Sequence, residues 1–388
     1  MSSVPKKLLF AISDTGGGHR SAATAIIAAI EQNSSATCTI IDILRTTKFP
    51  GLTKAPEIYD YCSKNHLWLN NLFFRKTNDI KRINALTKMV YLQAHRHIEQ
   101  ELSTFQPDAV IAVHPLVIGL MKLARQRLQA TWPIITVVTD LVTLHASWAT
   151  PGADLYLTPT IEATEVLHKY GIPINRIVHT GFPIHPKYQQ HNLTQNQARE
   201  ALGLLPNTFT ILLTGGGVGA GNMDEWVKTL EVQCSGKQVL VITGKNRGLF
   251  NKLKNKKLKG MYVYGFVDNM EVLMAASDII VTKAGPGTII EGIAMNRPLI
   301  ITEAVGIQET GNIDLVIQND LGYYCNDPIL ACKTINEVAT QPHKNAMFTQ
   351  NSIADLANGS TRIAEIIMQE ANSYNQAVLA YNTIPGAS

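Results

Sequence analysis

A glycine-rich segment near the start of the chain ends in a histidine that is placed to act as a base. Residues 13–20 read Ser-Asp-Thr-Gly-Gly-Gly-His-Arg. Gly17 and Gly18 allow backbone N–H groups to approach a ligand closely, and the first turn of a following helix attracts an anion. His19 would lie at that helix terminus and face a cleft, where a neutral imidazole can take a proton from a hydroxyl nucleophile.

Two other interpretations of this segment stay open. The glycines also suit a tight turn in which the histidine only caps the helix. A dinucleotide-binding turn is the third interpretation, with Gly16 and Gly18 at the turn and Asp42 after the second strand. Ser21 stands in place of the third glycine of that fingerprint, and a histidine would crowd the pyrophosphate.

A second glycine-rich turn lies in the middle of the chain. Residues 214–221 read Thr-Gly-Gly-Gly-Val-Gly-Ala-Gly, after an apolar run and before a helical pattern. The backbone of Gly215, Gly216, Gly217 and Gly219 is predicted to cradle a phosphate group. No Lys-Ser or Lys-Thr pair follows, so the segment is not a P-loop. A flexible turn without a ligand is the alternative.

The strongest pattern is Thr-Lys-Ala-Gly-Pro-Gly-Thr-Ile-Ile-Glu at residues 282–291. A strand enters this turn, and a helix leaves it. We expect the turn to hold phosphate oxygens through Gly285, Pro286, Gly287 and Thr288. Glu291, one turn into the helix, can accept hydrogen bonds from both hydroxyls of a ribose. The alternative is an acid that only complements the helix dipole.

A polar loop follows this helix. Gln308, Glu309 and Asn312 place an amide, a carboxylate and a second amide within five residues. Such groups suit the hydroxyls of a sugar. Polar loops are common, so this pattern alone does not define a site.

Strand and helix patterns alternate along the chain and must position these residues. Short apolar runs separated by helical segments indicate parallel sheets with helices on both faces. The predicted strands lie at 8–12, 38–44, 109–113, 134–139, 155–157, 209–213, 239–243, 262–264, 279–281 and 299–301. The pattern restarts after the first half, which predicts two doubly wound α/β domains. We expect one domain at 1–190, a linker at 191–207, a second domain at 208–365 and, at 366–388, a polar tail or a helix that crosses back.

The composition is that of a globular protein. The chain has 388 residues, 45% of them hydrophobic and 16% charged, which argues against a disordered, collagen-like or coiled-coil chain. A formal net charge of +4 does not by itself indicate nucleic acid binding. The five cysteines form no CxxC or Cys/His ligand pattern, so reduced thiols are expected. No apolar run approaches the length of a membrane span, and the first residues lack the cleavage site of a signal peptide.

One segment carries a larger net positive charge than the whole chain. From Arg45 to Arg96 there are ten Lys or Arg residues and three acids, a net +7 against +4 for the whole chain. Within it lies a group of apolar residues and cations, namely Trp68, Leu69, Phe73, Phe74, Arg75 and Lys76. Aromatic residues beside cations suit the interface of an anionic membrane. The alternative is an ordinary core helix with solvated charges.

The motifs occur in an order that resembles one family. Gly-Gly-Gly-His-Arg, the GGGxG turn, Gly-Phe-Val at 265–267, Lys-Ala-Gly-Pro-Gly-Thr with its glutamate, and Gln-Glu-x-Gly-Asn follow one another here. This arrangement, over roughly residues 7–365, resembles the monogalactosyldiacylglycerol synthases, which are related to MurG-type glycosyltransferases and diacylglycerol glucosyltransferases. The resemblance implies a GT-B fold of two Rossmann-like domains facing a cleft. It also implies inverting, metal-independent transfer of a hexose from a UDP-sugar to the sn-3 hydroxyl of 1,2-diacylglycerol.

The resemblance also implies roles for single residues. His19 matches the family's base, Glu291 its ribose-binding acid, and Gln308 and Glu309 the residues that hold the donor sugar. The backbone at Phe266 and Val267 matches the uracil-binding segment, and the 215–219 turn the diphosphate loop. The segment with Thr139-Asp140, His145 and Trp148 resembles the part of the first domain that lines the cleft, and Asp140 is a candidate for orienting His19.

Several expectations follow for partners and location. Ile307 replaces an expected Pro-Gly element, so the sugar stays open, with galactose favoured over glucose. The rival enzymes are a MurG-like transferase acting on a polyprenyl-linked acceptor and a UDP-sugar epimerase, and a catalytically silent nucleotide-sugar sensor is the rival outside enzymes. No cofactor or metal is expected, because no Asp-x-Asp pair occurs. The expected partners are a UDP-sugar, diacylglycerol and anionic lipids, at the cytoplasmic face of a membrane as a peripheral protein.

Overall fold

A computed structural model describes residues 5–14, 17–46, 54, 61, 66–217, 219, 222–256, 258–340 and 355–382. The chain divides into two compact units. Unit 1 contains the described residues before position 60, then Leu69–Pro186, and then the chain from Asn358 onward. Unit 2 contains Lys187–Ala357 and the described residues between positions 60 and 68.

The described chain alternates strands and helices. The strands are β1 (Lys7–Ile12), β2 (Thr37–Asp42), β3 (Ala109–Ala112), β4 (Ile134–Val137), β5 (Leu155–Thr158), β6 (Ile177–His179), β7 (Thr210–Thr214), β8 (Gln238–Ile242), β9 (Met261–Tyr264), β10 (Ile279–Thr282), β11 (Leu299–Ile301) and β12 (Gly322–Tyr324). The α-helices are α1 (Gly18–Asn33), α2 (Ile43–Thr46), α3 (Leu67–Thr77), α4 (Ile80–Phe105), α5 (Pro115–Arg127), α6 (Ile161–Lys169), α7 (Gln195–Ala201), α8 (Met223–Gln233), α9 (Arg247–Lys254), α10 (Met270–Ala276), α11 (Pro286–Ala294), α12 (Thr310–Gln318), α13 (Pro328–Thr340) and α14 (Gly359–Asn382).

Unit 1 is built on a parallel six-stranded sheet in the order β2-β1-β3-β4-β5-β6. Its central strands are apolar on both faces because helices cover both faces. In β1, Leu9 and Ala11 pack with α4 and α5, whereas Leu8, Phe10 and Ile12 pack with α1 on the opposite face. The continuous apolar run at the start of the sequence therefore reflects a strand that is buried on both sides.

The last helix, α14, completes the core of unit 1. Its buried residues Ile363, Ala364, Ile367 and Ala371 join the cluster formed by β1, β3 and α1. The chain thus returns to unit 1 from Asn358 onward, ahead of residue 366, where the sequence placed the crossover. The stripe of apolar residues at 363, 364, 367 and 371 has the spacing of a helix face that meets a core.

Unit 2 is built on a second parallel six-stranded sheet, in the order β12-β11-β10-β7-β8-β9. The stretch expected as a linker at 191–207 contains helix α7, which is fixed to this unit. The Arg199 guanidinium lies 2.6 Å from the Asp278 carboxylate and donates to the Ala276 carbonyl, and Gln195 donates to the Ser277 carbonyl. The two doubly wound sheets confirm the predicted α/β class.

None of the described helices is both long enough and apolar enough to cross a bilayer.

Candidate active site

Each unit brings its predicted site residues to the point where the strand order reverses. In unit 1 the reversal lies between β1 and β3, and in unit 2 it lies between β7 and β10. Ligands of open parallel sheets bind outside the carboxyl ends of the strands at such a switch point. The turn before α1 and the start of α5 lie at the first switch point, and the turns after β7 and β10 lie at the second.

His19 lies in the first turn of α1, partly buried, with its ring held by neighbouring loops. Its Nδ1 lies 3.1 Å from the hydroxyl of Thr139, which follows β4. Burial lowers the pKa of His19 to about 4, although a hydrogen bond to the Val113 backbone and the nearby Asp14 oppose the shift. The ring is therefore neutral at physiological pH, as a general base requires. Gly17 precedes it with φ of 81°, a conformation that favours glycine.

A second histidine, which the sequence did not indicate, packs against the first. The rings of His114 and His19 meet edge to face with centroids 4.6 Å apart. His114 is the N-cap of α5, and its Nδ1 accepts the backbone N–H of Leu116 at 3.3 Å. Burial, and then the nearby His19, lower the pKa of His114 well below its usual range. The His-Pro pair after an apolar run is the only sequence signal for this residue, since neighbouring strands place it beside His19.

Asp140 and Trp148 contact one another in the segment 139–148, which forms a wall beside His19. The Trp148 indole N–H donates to Asp140 Oδ2 at 2.7 Å, and the Trp148 ring centroid lies 6.2 Å from that of His19. Trp148 is fully buried. The hydroxyl that meets the His19 ring belongs to Thr139, the neighbour of Asp140. The structure thus brings together the predicted Thr139, Asp140, Trp148 and His19, and Thr139 supplies the hydroxyl that contacts the His19 ring.

His145 joins this wall to helix α3. Its Nδ1 accepts the backbone N–H of Ser147 at 3.2 Å, so its Nε2 carries the proton. Nε2 lies 3.2 Å from the Thr77 hydroxyl and 3.3 Å from the Phe74 carbonyl. The Phe74 ring packs edge to face on the imidazole, with centroids 4.7 Å apart. Burial lowers the pKa of His145, so the ring is neutral.

The predicted membrane segment forms α3 with an exposed aromatic side. Trp68 is 63% exposed and Phe73 is 58% exposed, with Leu69 and Leu72 beside them. Arg75 and Lys76 end the helix and are also exposed. Phe74 differs from the expectation, because its ring turns toward His145.

Helix α4 continues this exposed surface with a basic stripe. Its exposed cations and large apolar residues between positions 81 and 96 are Lys81, Arg82, Lys88, Met89, Leu92 and Arg96. No exposed residue of that stretch is acidic. The spacing of these positions places them along one side of the helix.

The glycine turn after β7 is fixed by close backbone packing. Gly216 and Gly219 have φ of 72° and 64°. A Cβ atom on Gly219 would lie 2.2 Å from the Thr243 carbonyl oxygen, so only glycine fits there. The Lys245 N–H donates to the Gly217 carbonyl at 2.9 Å. Gly215 and Gly217 complete the predicted turn, and the segment is a pre-shaped backbone element beside the start of α8.

The turn after β10 contains an ion pair that the sequence did not single out. Lys283 Nζ lies 2.5 Å from Glu309 Oε1, and Glu309 Oε2 accepts the Val305 N–H at 2.8 Å. Glu309 is only 7% exposed. A Cβ on Gly216 would lie 3.3 Å from Lys283 Cε, so this lysine stem packs beside the other glycine turn. One cation therefore lies between the two turns, directly before the Gly-Pro-Gly segment.

Asn312 and Gln308 donate hydrogen bonds to backbone carbonyls near these turns. Asn312 is 1% exposed and donates to the Ala284 carbonyl at 2.8 Å. Gln308 donates to the Val305 carbonyl at 3.4 Å. The Asn312 amide N–H holds the backbone that enters the turn, while its Oδ1 has no hydrogen-bond partner among the described residues, and its predicted contact with the donor stays a prediction. Gly285, Pro286, Gly287 and Thr288 form the turn and the start of α11 as predicted.

Glu291 lies in α11 among charged and polar neighbours. Burial raises its pKa to about 7, while a hydrogen bond from Tyr188 and the charge of Lys187 oppose the shift and Glu271 adds to it. Lys187 Nζ lies 2.6 Å from the Glu271 carboxylate. Tyr188 is buried, and burial followed by the charge of Glu291 raises the pKa of its hydroxyl. Tyr188 was absent from the sequence prediction.

The segment predicted to bind the uracil ring of the donor follows β9. Phe266 is 67% exposed, and Lys245 Nζ lies 5.9 Å from the centre of its ring. Val267 is half-buried. Within the described part of the chain, no three His, Cys, Asp or Glu side chains are grouped so that they could hold a metal ion.

The sequence matches two family models and several plant enzymes. Residues 19–184 match the model of the family described as monogalactosyldiacylglycerol (MGDG) synthase, and residues 210–303 match the glycosyltransferase family 28 C-terminal domain. Monogalactosyldiacylglycerol synthase 1, chloroplastic, of Arabidopsis thaliana is 30% identical, over 99% of this chain and 73% of that protein. The spinach (Spinacia oleracea) monogalactosyldiacylglycerol synthase is 32% identical, over 86% of this chain and 66% of its own.

Solved structures with the same fold include both transferases and epimerases. MurG of Acinetobacter baumannii has a TM-score of 0.56 at 13% identity, covering 94% of this chain and all of its own. UDP-GlcNAc 2-epimerase of Neisseria meningitidis, bound to UDP-GlcNAc, has a TM-score of 0.59 at 13% identity with the same coverage. These similarities confirm the predicted GT-B fold. Taken with the near-complete alignment to the Arabidopsis enzyme, they show that this chain belongs to the monogalactosyldiacylglycerol synthase family.

Proposed function

We propose that this protein transfers a hexose from a UDP-sugar to the sn-3 hydroxyl of 1,2-diacylglycerol with inversion at the anomeric carbon. The observation that carries the proposal is the neutral His19 at the switch point of unit 1, hydrogen-bonded to Thr139. A neutral imidazole in a partly buried site is suited to take a proton from an alcohol. The names of the plant relatives supply the acceptor class.

The reaction needs a nucleophile, a base and a leaving group. The acceptor hydroxyl attacks the anomeric carbon from the face opposite UDP, and its proton goes to His19. The bond between the anomeric carbon and the diphosphate oxygen breaks, and UDP leaves with the electron pair. The new bond joins the glycerol oxygen to the sugar with inverted configuration.

The donor is assigned to the turns of unit 2. The backbone N–H groups of Gly215, Gly216, Gly217 and Gly219 and of Gly285, Gly287 and Thr288 are assigned to the diphosphate, together with the dipole of α11. Glu291 binds the ribose hydroxyls, and the backbone at Phe266 and Val267 binds uracil. Gln308 and the pair of Glu309 with Lys283 position the hexose. This donor set supplies the charge stabilisation for which other transferases use a divalent metal, so we expect metal-independent transfer.

The acceptor surface is assigned to α3 and α4. Trp68, Leu69, Leu72 and Phe73 would enter the bilayer interface, while the cations of the α4 stripe meet anionic lipid head groups. Each basic residue near such a surface contributes about 1 kcal/mol. We therefore propose peripheral attachment to an anionic membrane, on its cytoplasmic face.

The test is product analysis with the purified protein. Vesicles containing diacylglycerol and phosphatidylglycerol are mixed with UDP-galactose or UDP-glucose in the presence of EDTA. We expect a monohexosyldiacylglycerol of inverted anomeric configuration, with UDP-galactose as the better donor. His19→Ala should abolish transfer and keep UDP binding, while His168→Ala, outside the site, should leave transfer unchanged.

Other outcomes separate the rivals. UDP binding with no glycolipid from either donor would overturn the assigned acceptor, and transfer to a polyprenyl-linked acceptor would then identify a MurG-like enzyme. Interconversion of the UDP-sugars without any acceptor would identify an epimerase. UDP-sugar binding with neither reaction would leave a sensor. Transfer that stops in EDTA would contradict metal independence.

A further inference from the structure

Helix α3 is fastened to the wall beside His19 by side chains that need not touch a substrate. Two connections are present. His145 Nε2 lies 3.2 Å from the Thr77 hydroxyl and 3.3 Å from the Phe74 carbonyl. Asn78, which follows α3, accepts the backbone N–H of Ala146 through its Oδ1 at 2.7 Å. Both connections meet the segment 145–148, whose last residue binds Asp140.

The donors and acceptors of these connections are fixed. The Thr77 hydroxyl donates to the Phe73 carbonyl at 2.7 Å, so its oxygen is free to accept from His145. Ser147 N–H occupies His145 Nδ1, which leaves the proton on Nε2. Asn78 Oδ1 also accepts the Tyr170 hydroxyl at 3.3 Å. The C-terminal end of α3 is therefore held in one register relative to the segment 145–148.

The other end of this connection is the base. Trp148 closes the segment, its indole binds Asp140, and Thr139 next to Asp140 binds His19 Nδ1. The exposed Trp68 lies on the side of α3 opposite Thr77, and the exposed Phe73 lies one turn before Thr77. A short path of hydrogen bonds and backbone links thus joins α3 to the ring that takes the proton.

We propose that His145, Thr77 and Asn78 are positioning residues. By fixing α3 relative to His19, they set the depth in the bilayer at which an embedded acceptor meets His19. The inference rests on the proposed function. An acceptor embedded in a bilayer cannot approach His19 freely. Its distance from His19 depends on how deeply α3 inserts into the membrane interface. A dispersed acceptor has no such constraint. A displacement of about 1 Å between reacting groups can lower the rate about a hundredfold. The contacts that fix α3 should therefore affect the rate on the bilayer-embedded acceptor and not the rate on the dispersed acceptor.

The experiment compares two forms of the same acceptor. Long-chain diacylglycerol is presented in vesicles of phosphatidylglycerol and phosphatidylcholine, and 1,2-dibutanoylglycerol is presented in free solution. The loosened variant carries Thr77→Val and Asn78→Ala, which remove the two side-chain acceptors, keep the shape of α3 and leave the Phe74 carbonyl as the one remaining acceptor for His145. Thr77→Ser is the matched control, because it keeps the hydroxyl. Vesicle sedimentation and thermal unfolding are measured for every protein.

We expect the ratio of kcat/KM on vesicles to kcat/KM in solution to fall about tenfold in the loosened variant. The ratio should stay at the wild-type value in Thr77→Ser. Vesicle binding, donor KM and the rate on the dispersed acceptor should be unchanged in both. A merely structural role would lower both rates together and would leave the ratio constant.

The failures are distinguishable. If the wild type glycosylates neither acceptor, the proposed function is wrong and the inference falls with it. If both acceptors are used and the loosened variant keeps the wild-type ratio, only the inference is wrong. Equal losses on both acceptors, or a fall in vesicle binding that accounts for the lower rate, would also overturn it.

Discussion

The His19 ring is held by a neutral hydroxyl at 3.1 Å, that of Thr139, in a partly buried setting. A base held in this way has one fixed ring orientation, because its Nδ1 is engaged and its edge packs on His114. Its strength as a base is low, with the pKa lowered to about 4 by burial. His19 should therefore contribute to the reaction mainly through the fixed orientation of its ring and less through its basicity.

Replacing Thr139 by valine tests this orientation. Thr139→Val keeps the volume and removes the hydroxyl, and we expect kcat to fall by about ten- to a hundredfold, the range assigned to misplaced reacting groups. Thr139→Ser should restore most of the rate. The KM for the donor should not move in either protein. Steady-state kinetics on vesicles measures kcat and KM for both variants. A valine variant with wild-type kcat would show that the Thr139 hydroxyl does not orient His19 for the reaction.

Glu291 predicts a pH dependence of donor binding. Burial raises the pKa of this acid from 4.5 to about 7, against the effects of Tyr188 and Lys187 and with that of Glu271. The carboxylate accepts ribose hydroxyls and the protonated acid does so poorly, so donor KM should rise as pH falls from about 8 to about 6. His19 is already neutral throughout that interval, so kcat should change little.

Glu291→Gln provides the control for this dependence. The amide does not titrate, so its donor KM should be higher than that of the wild type at pH 8 and flat across the interval. A wild-type KM that is constant between pH 6 and pH 8, or a glutamine variant with the same slope as the wild type, would contradict the assignment to this residue.

The turn between β7 and α8 shows how a backbone element limits its own sequence. Gly219→Ala would place a Cβ 2.2 Å from the Thr243 carbonyl oxygen at φ of 64°. We expect it to lower the free energy of unfolding by at least about 1–2 kcal/mol, because an L-residue in the left-handed region is strained even without a clash. Gly217→Ala meets no atom within 4 Å and should change stability by less than about 0.5 kcal/mol. Urea unfolding of both variants without substrate compares them, and equal midpoints would refute the packing argument.

The central strands and the edge strands β2 and β9 could be predicted from the sequence, and the edge strands β6 and β12 could not. β1, β3, β7 and β10 are buried on both faces, so they appear as apolar runs bounded by turn residues. The edge strands β6 and β12 have three residues each and were missed, because an edge strand needs no continuous apolar run. The run predicted at 38–44 ends as a strand at Asp42, where the carboxylate accepts the N–H groups of Leu44 and Arg45 and starts α2.

The candidate site was predictable only where chemistry coincides with a local motif. His19, the glycine turns and Glu291 lie at strand–turn–helix junctions that the sequence displays. His114, Lys283 and Tyr188 join them through strand order and long-range contacts, which a pattern along the chain does not show. Thr139 was named only as part of the segment that resembles the family's cleft lining. Asp140 was predicted near the base, and the hydroxyl that reaches the ring comes from the residue before it.

The chain as a whole depends on its final helix for the core of unit 1. Ile367 is fully buried with β1 and α1, so Ile367→Ala should cost about 2–5 kcal/mol. Gln369→Ala, at an exposed position of the same helix, should cost less than about 0.5 kcal/mol. Hydrogen exchange followed by mass spectrometry should show faster exchange in β1 and β3 of the Ile367 variant, and unchanged protection there would contradict the role of α14.

The return of the chain to unit 1 also bears on the order of events during synthesis. Domains generally fold as they leave the ribosome, the first-made ones first. Here the strands of unit 1 are made first, but their apolar face on the α1 side is closed only when residues 359–371 have been translated. The strands of unit 2, β7 to β12, are all made between these two events. The nascent chain therefore carries an apolar sheet face that α1 covers only in part, while the strands of the later-made unit are already complete. This is the interval in which a chaperone would bind it.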